Sequence, residues 1–510
     1  MDISAFPTDI FFLVVSYLEP QDLILCRRVS QNWLKAFTES SLNRRLLIFS
    51  FPLSREVRNI ESNGDFEKDD ENDWPSIFSA VAARYYCLVK GWTREIHRFE
   101  LAKSLDEPAW SRNYPVAPWE RYFTSRNLRY DFQNGDTLWT YEDGILVFPS
   151  AEKQSYVLFD LEKQKWLFIN FDQIVRRIRL KDRVLVVEWC EADPFHQLDE
   201  DEMVHRHFAT AYDLVFDSEA HQWNMKRRNE WKIHFLGMPL NKDDRFFSVH
   251  SNTHYAIYIW QPNRGRWGED DPIEALAIWD ISAPSAYLPS LDPTGTGKPS
   301  ELEVPRVIRR FSFSDLDFYN IRQGLTPRLR ELQLDEGHLY ILEENYDYLM
   351  GRHARSHSKY HEVKSTGIPF ANGPRWVDRC GVDAECNRSG GAYRKEIIRM
   401  RQPWLAPCWR HETLSCTNID ISQYYPDIIT AEVYDASGVR HYAYFTLNYK
   451  RMIINTTVDD SEGLGLGLYW KSVRDGLRPD IRGNGKLSGD ERWIIGESFS
   501  QELVVCLFGK

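Results

Sequence analysis

The 510-residue chain holds eight Cys and 14 His, and their spacing decides what chemistry they could perform. His353, His357 and His361 stand at i, i+4 and i+8, which on a helix would line up three imidazoles for a metal ion. The surrounding segment, GRHARSHSKYHEVKSTG, is polar throughout, with Gly, Ser and several cations, a composition that favours an exposed loop. Cys380, Cys386, Cys408, His411 and Cys416 form the densest set of ligand-type residues. They lack the paired C-x-x-C spacing of a structural zinc site, so buried or idle thiols are expected there over zinc. Gly463-x-Gly465-x-Gly467 reads as a loop, because it is not the Gly-x-Gly-x-x-Gly of a nucleotide fold and no Walker sequence occurs. There is no Gly-x-Ser-x-Gly elbow and no His-Glu-x-x-His, and carboxylate pairs are too common in an acidic chain to single out a glycosidase. Asn387-Arg388-Ser389 and Asn455-Thr456-Thr457 are glycosylation sequons that matter only in a secreted protein. The expectation is a non-enzyme with no cofactor and no metal.

Composition narrows the classes further. The 43% hydrophobic content is ample for a core, and 18 Trp, 25 Tyr and 28 Phe favour strands and packed sheet faces. A net charge of −12 argues against nucleic acid as a partner, since phosphate binding needs clustered Lys and Arg. No apolar stretch is long enough to span a membrane, and Phe11–Val15 follows Asp9 in place of a basic region, making a poor signal peptide. The expected location is therefore the cytoplasm, the nucleus or both, where cysteines stay reduced.

The elements begin with helices. Pro7 suits the first turn of one, and Ile10, Leu13, Val14, Tyr17 and Leu18 then recur on a single helical face. The other side is also apolar, with Phe11, Phe12 and Val15, so the helix must be covered on every side. Glu19-Pro20-Gln21-Asp22 breaks it and starts a second helix carrying Leu23, Ile24, Leu25 and Cys26. Ser30 is the expected N-cap of a third, with Trp33, Leu34 and Phe37 at helical spacing. Three short helices cannot hide this much apolar surface from water by themselves, which predicts a partner helix or groove.

Three strings, Phe6-Pro7-x-Asp9-Ile10, Ser16-Tyr17-Leu18-x-Pro20-x-Asp22-Leu23 and Val29-Ser30-x-x-Trp33, together resemble an F-box. The usual opening is Leu-Pro-x-Glu-Ile, for which Phe6 and Asp9 are conservative replacements; Ser30 stands where many members have Cys. The resemblance covers about a tenth of the chain and spans the whole motif in register. It implies a Skp-type adaptor as partner, and through it a cullin and a RING protein. Pro7, Ile10, Leu18, Leu23, Val29 and Trp33 would form or support the adaptor surface. The function so implied is substrate recognition in a Skp–cullin–F-box ubiquitin ligase, with an unknown target protein bound by the rest of the chain. The alternatives are an enzyme with its site in the C-terminal β domain, or an F-box scaffold acting outside ubiquitination.

Residues 61–73, ESNGDFEKDDEND, read as a solvated acidic linker. Trp74-Pro75 then opens a helix with Ile77, Phe78, Val81, Tyr85 and Leu88 on one face. After about residue 135 the pattern changes to short aromatic and β-branched runs such as Tyr156–Leu158, Val184–Glu188 and Leu276–Asp280. One device recurs: Phe159-Asp160 precedes Trp166 and Phe216-Asp217 precedes Trp223, as if an aromatic-Asp closed one strand and an aromatic opened the next. Looser copies are Trp260-Gln261 to Trp267, Tyr346-Asp347 to His353, and Tyr434-Asp435 to His441. Their spacing is near one or two units of about 44 residues, the length of a propeller blade. The expected fold is α+β multidomain: a three-helix F-box at 1–50, a linker with connecting helices at 51–135, and a large all-β domain at 136–510. That domain is expected to be a six- to eight-bladed β-propeller, with a twisted sandwich as the alternative. Asp199–Glu202 and residues 282–300 are candidate rim insertions, and both read as solvated, mobile loops.

Overall fold

The computed structural model describes residues 6–52, 54–63, 72–90, 92–102, 138–193, 195–197, 203–233, 245–261, 271–300, 303–324, 328–348, 359–371, 376–381, 420–421, 428–434, 440–448, 453–458, 488–498 and 502–509. The chain divides into two compact units, Met1–Phe99 with Leu468–Gly483 and Leu487–Lys510, and Glu100–Gly467 with Asn484–Lys486.

The first unit opens with α1 (Thr8–Val15), α2 (Pro20–Cys26), α3 (Gln31–Phe37) and α4 (Ser40–Ser50), one helix more than the three expected in the first fifty residues. Pro7 is the N-cap of α1, one position before its first turn, and its carbonyl accepts the Phe11 amide. Ser30 caps α3 as expected, its side chain accepting the Trp33 amide at 3.2 Å. The extra helix starts where the Glu39 carboxylate accepts the amides of Ser41 and Leu42. Two further helices, α5 (Arg55–Asn63) and α6 (Trp74–Lys90), share one core with the first four, built from Phe11, Val15, Leu23, Phe37, Leu46 and Phe78 among others. Arg27 on α2's C-cap joins the layers, donating to Asn43 on α4 and Ser79 on α6.

A strand at Glu95–Glu100 completes this unit, although strands were expected only after about residue 135. It lies at the edge of a four-stranded sheet whose other members, Glu502–Leu507, Trp493–Glu497 and Ser488–Gly489, come from the far end of the chain. Its alternating charged residues gave no local strand signal, because its partners lie about 400 residues away.

The second unit carries five four-stranded antiparallel sheets among the described residues. The first is Thr140–Glu142, Ile145–Ser150, Ser155–Asp160 and Lys165–Ile169; the second is Ile174–Lys181, Val184–Cys190, His207–Asp217 and Gln222–Lys232. The third is Arg245–His250, His254–Gln261, Ile273–Asp280 and Arg306–Phe311. The fourth is Leu329–Leu334, His338–Tyr348, Lys359–Pro369 and Trp376–Gly381, and the fifth runs from Asp420–Ile421 through Ile428–Tyr434 and Arg440–Asn448 to Ile453–Val458. The strands of each sheet follow one another in chain order, except that a two-stranded hairpin, His196–Gln197 with Met203–Val204, intervenes between Val184–Cys190 and His207–Asp217 in the second.

The aromatic-Asp device closes the third strand of the first two sheets. Phe159 stands opposite Trp166 with rings stacked at 3.8 Å, and Phe216 opposite Trp223 at 5.3 Å. In each turn the Asp carboxylate accepts two amides, Glu162 and Lys163 for Asp160, Glu219 and Ala220 for Asp217. Four residues beyond each Asp, Gln164 and His221 take positive φ of 54° and 51° to turn the chain back. The third copy is not Trp260-Gln261 but Trp279-Asp280, which ends the third strand of the third sheet, with Asp280 accepting the Ser282 amide. The long 281–305 segment that replaces the tight loop concealed it. The two later copies are out of register: Tyr346 pairs with His361, and His441 stands opposite Val433. Trp267 and His353 lie outside the described residues.

Asp160 also links the first two sheets, for its other oxygen accepts the Trp223 indole N–H at 3.0 Å. Asp160→Ala leaves that buried N–H and two turn amides without their acceptor. It should cost about 2–4 kcal/mol, read as a lower urea midpoint, whereas Trp223→Phe should cost about half as much.

Segment 282–300 corrects a second expectation. Its first part, to Ser290, is a strap laid on the edge strand Gln222–Lys232 of the second sheet, whereas 291–300 is mostly exposed, as expected of a solvated loop. Asn229, fully buried, donates to the carbonyls of Ile281 and Ala283; Ser285 donates to the Arg228 carbonyl and the Ser290 amide to Glu230. The strap thereby covers one open backbone carbonyl of the edge strand, that of Arg228, and is tied to two of its side chains. The acidic stretch Asp199–Glu202 lies outside the described residues.

An uncovered apolar face as the candidate functional site

Helix α1 rests on its own core through Phe11 and Val15, one turn apart and 4% and 0% exposed. With 3.6 residues per turn, those two positions leave Ile10, Leu13 and Val14 on the outward flank, and all three are exposed. The helix ends at Val15, short of the Leu18 that periodicity alone implied, and Tyr17 and Leu18 fall in the turn towards α2. They extend the same surface, Tyr17 with 90% of its area in solvent. Leu25 on α2, Val29 in the next turn and Leu34 on α3 are exposed as well. Scattered exposed apolar residues are ordinary, but eight within 25 residues of one small helical layer are an unusual concentration of uncovered apolar surface.

The six residues assigned to the adaptor surface separate by position. Pro7, Ile10, Leu18 and Val29 are exposed. Trp33 is half-buried, its ring stacked on Phe37 at 5.5 Å, so it joins surface and core. Leu23 is 2% exposed and belongs to the core, where it can act only by holding α2 in place. Leu13, Val14, Tyr17, Leu25 and Leu34 are the most open apolar groups here that this assignment left out. The i, i+3, i+4, i+7 spacing already placed the first three on one face; which face stays open depends on how α1 packs on α4.

Charged residues stand among these apolar ones along the chain: Asp9, Glu19, Arg28 and Lys35 are exposed as well. Asp9 and Arg45 pair at 2.7 Å at its margin, both in contact with solvent. Among the described residues no group of three His, Cys, Asp or Glu could hold a metal, and no helix is long and apolar enough to cross a membrane. His361 lies in the paired strand Lys359–Pro369, so 359–367 is not the exposed loop expected there, and Cys380 lies in the strand Trp376–Gly381; His353, His357, Cys386, Cys408, His411 and Cys416 lie outside the described residues, as does Gly463–Gly467. Cys26, Cys87, Cys190 and Cys506 are free thiols, and burial pushes that of Cys190 up to about 11, far from a reactive thiolate.

Residues 3–45 match the family model of the F-box domain. No curated protein matches the chain.

Proposed function

This chain is an F-box protein, and on that premise we propose that it is the substrate-recognition subunit of a Skp–cullin–F-box ubiquitin ligase. F-box domains bind Skp-type adaptors. The observation that carries the reading is the open apolar face of Ile10, Leu13, Val14, Tyr17 and Leu18, which the chain's own core leaves in water. Seated there, the adaptor connects the chain to a cullin and a RING protein. The chain makes no covalent bond itself; it raises the concentration of a target's lysines near the charged ubiquitin-conjugating enzyme.

The β body is the part that selects the target. The five four-stranded sheets of the second unit among the described residues, of the size of propeller blades, support a propeller-like reading, and the turns and straps between strands supply target contacts. This reading places the protein in the cytoplasm, the nucleus or both. The test is to mix the full chain with a purified Skp-type adaptor and follow both by size-exclusion chromatography. A one-to-one complex is expected; separate elution at micromolar concentration would sink the assignment.

A further inference from the structure

Helix α1 has a second uncovered flank. Phe12, on the side away from Ile10 and Val14, is half-buried, and its ring meets Phe49 of α4 edge-on at 6.0 Å. Arg45, Ile48 and Phe49 stand at i, i+3 and i+4 on α4, so they share a face, while Leu42, Leu46 and Leu47 occupy the buried side. The Arg45 guanidinium lies 4.2 Å from the Phe12 ring centroid. Phe49 is 58% exposed and Ile48 36%. The second strip is therefore Phe12, Ile48 and Phe49, separated from the first by the solvated Asp9–Arg45 pair.

We propose that the Skp-type adaptor grips α1 from both flanks, and that its second contact is the Phe12–Ile48–Phe49 strip of α1 and α4. Two of those three residues lie beyond residue 45, where the F-box match ends. The inference rests on the functional reading above and names a further part of the same interface. Continuity identifies the occupant. A helix with its side chains is about 10–12 Å across, so a domain seated on Leu13 and Tyr17 stands within one helix width of Phe49. Asp9 and Arg45 between the strips form the kind of polar margin that stays wet inside an interface.

The test measures the affinity of the full chain for a purified Skp-type adaptor by calorimetry. Phe49→Ala should weaken binding about tenfold or more and Ile48→Ala about threefold, with Phe49→Leu retaining most of the affinity. A photoreactive phenylalanine analogue at position 49 should cross-link to the adaptor, which gives a readout that needs no truncation. Wild-type affinity for both Phe49→Ala and Phe49→Asp, in a protein whose Tyr17→Asp form no longer binds, overturns the second contact and leaves the first intact. Failure of the unaltered chain to bind overturns both readings together.

Discussion

Leu13→Asp is expected to reduce adaptor affinity at least 100-fold while shifting the melting temperature by no more than about 2 °C. The two halves of that result have separate causes. Leu13 is 59% exposed on the outward flank of α1, so its removal opens no cavity in the core formed by Phe11, Val15 and Leu46. With an adaptor seated on the apolar face of Ile10, Val14 and Tyr17, the new carboxylate would be buried beside those residues, and an unpaired buried charge costs several kcal/mol. Leu23→Ala is the contrasting case. Leu23 is buried, so its truncation should cost about 2–5 kcal/mol of stability, with binding lost only as folding is lost. A calorimetric titration beside a thermal melt separates the two, and wild-type affinity for Leu13→Asp would remove α1 from the interface.

The second large effect lies far from that surface. Arg84→Ala should destabilise the helical unit by about 3–5 kcal/mol, because it strips the counter-charge from two carboxylates at once. Arg84, on α6 and 2% exposed, donates to both oxygens of Glu56 on α5, at 3.0 and 2.7 Å, and stands 3.8 Å from Glu491. Glu491, in the turn before Trp493–Glu497, in turn accepts the Arg55 amide at 3.0 Å. Gly509 passes so near that a Cβ there would meet the Arg84 side chain at 2.8 Å, so the same cluster excludes larger residues at the chain's end. Hydrogen exchange of the α5 and α6 amides is the suitable measurement, since a chain of two units need not unfold in one step.

The same cluster predicts a pH dependence. Burial alone would raise the Glu56 carboxyl, but the hydrogen bonds and charge of Arg84 outweigh it and hold the group below its ordinary 4.5. A carboxyl with a lowered folded value adds stability above pH 4.5, and that share is lost as pH falls through the folded value. Amide protection in α5 should therefore fall on acidification below about 4.5 in the wild type and change little in Arg84→Ala. Equal acid sensitivity in both would show that Glu56 is not the group responsible.

Features that depend on neighbours a few residues apart were legible in the sequence. The Ser30 cap, the break at Glu19-Pro20, the α6 face of Phe78 and Val81, and the turns at Asp160 and Asp217 all depend on contacts within one turn of backbone. The excess of apolar surface in the first fifty residues was equally readable, since it is a matter of composition and period. Three features escaped for a common reason. Glu95–Glu100 pairs with a strand at the other end of the chain, the strap up to Ser290 is fixed by Asn229 and Glu230 of a different sheet, and Trp279-Asp280 is separated from its hairpin partner by an insertion.

The sequence by itself determined that α1 is apolar around most of its circumference and so needs cover on more than one side. Only the tertiary structure decided which side the chain supplies: Phe11 and Val15 go to its own core, and Leu13, Tyr17 and Phe49 are left to water. Helical period sets the angles between side chains, but the direction that faces inward is set by where α4 lies, and that depends on contacts no local pattern records.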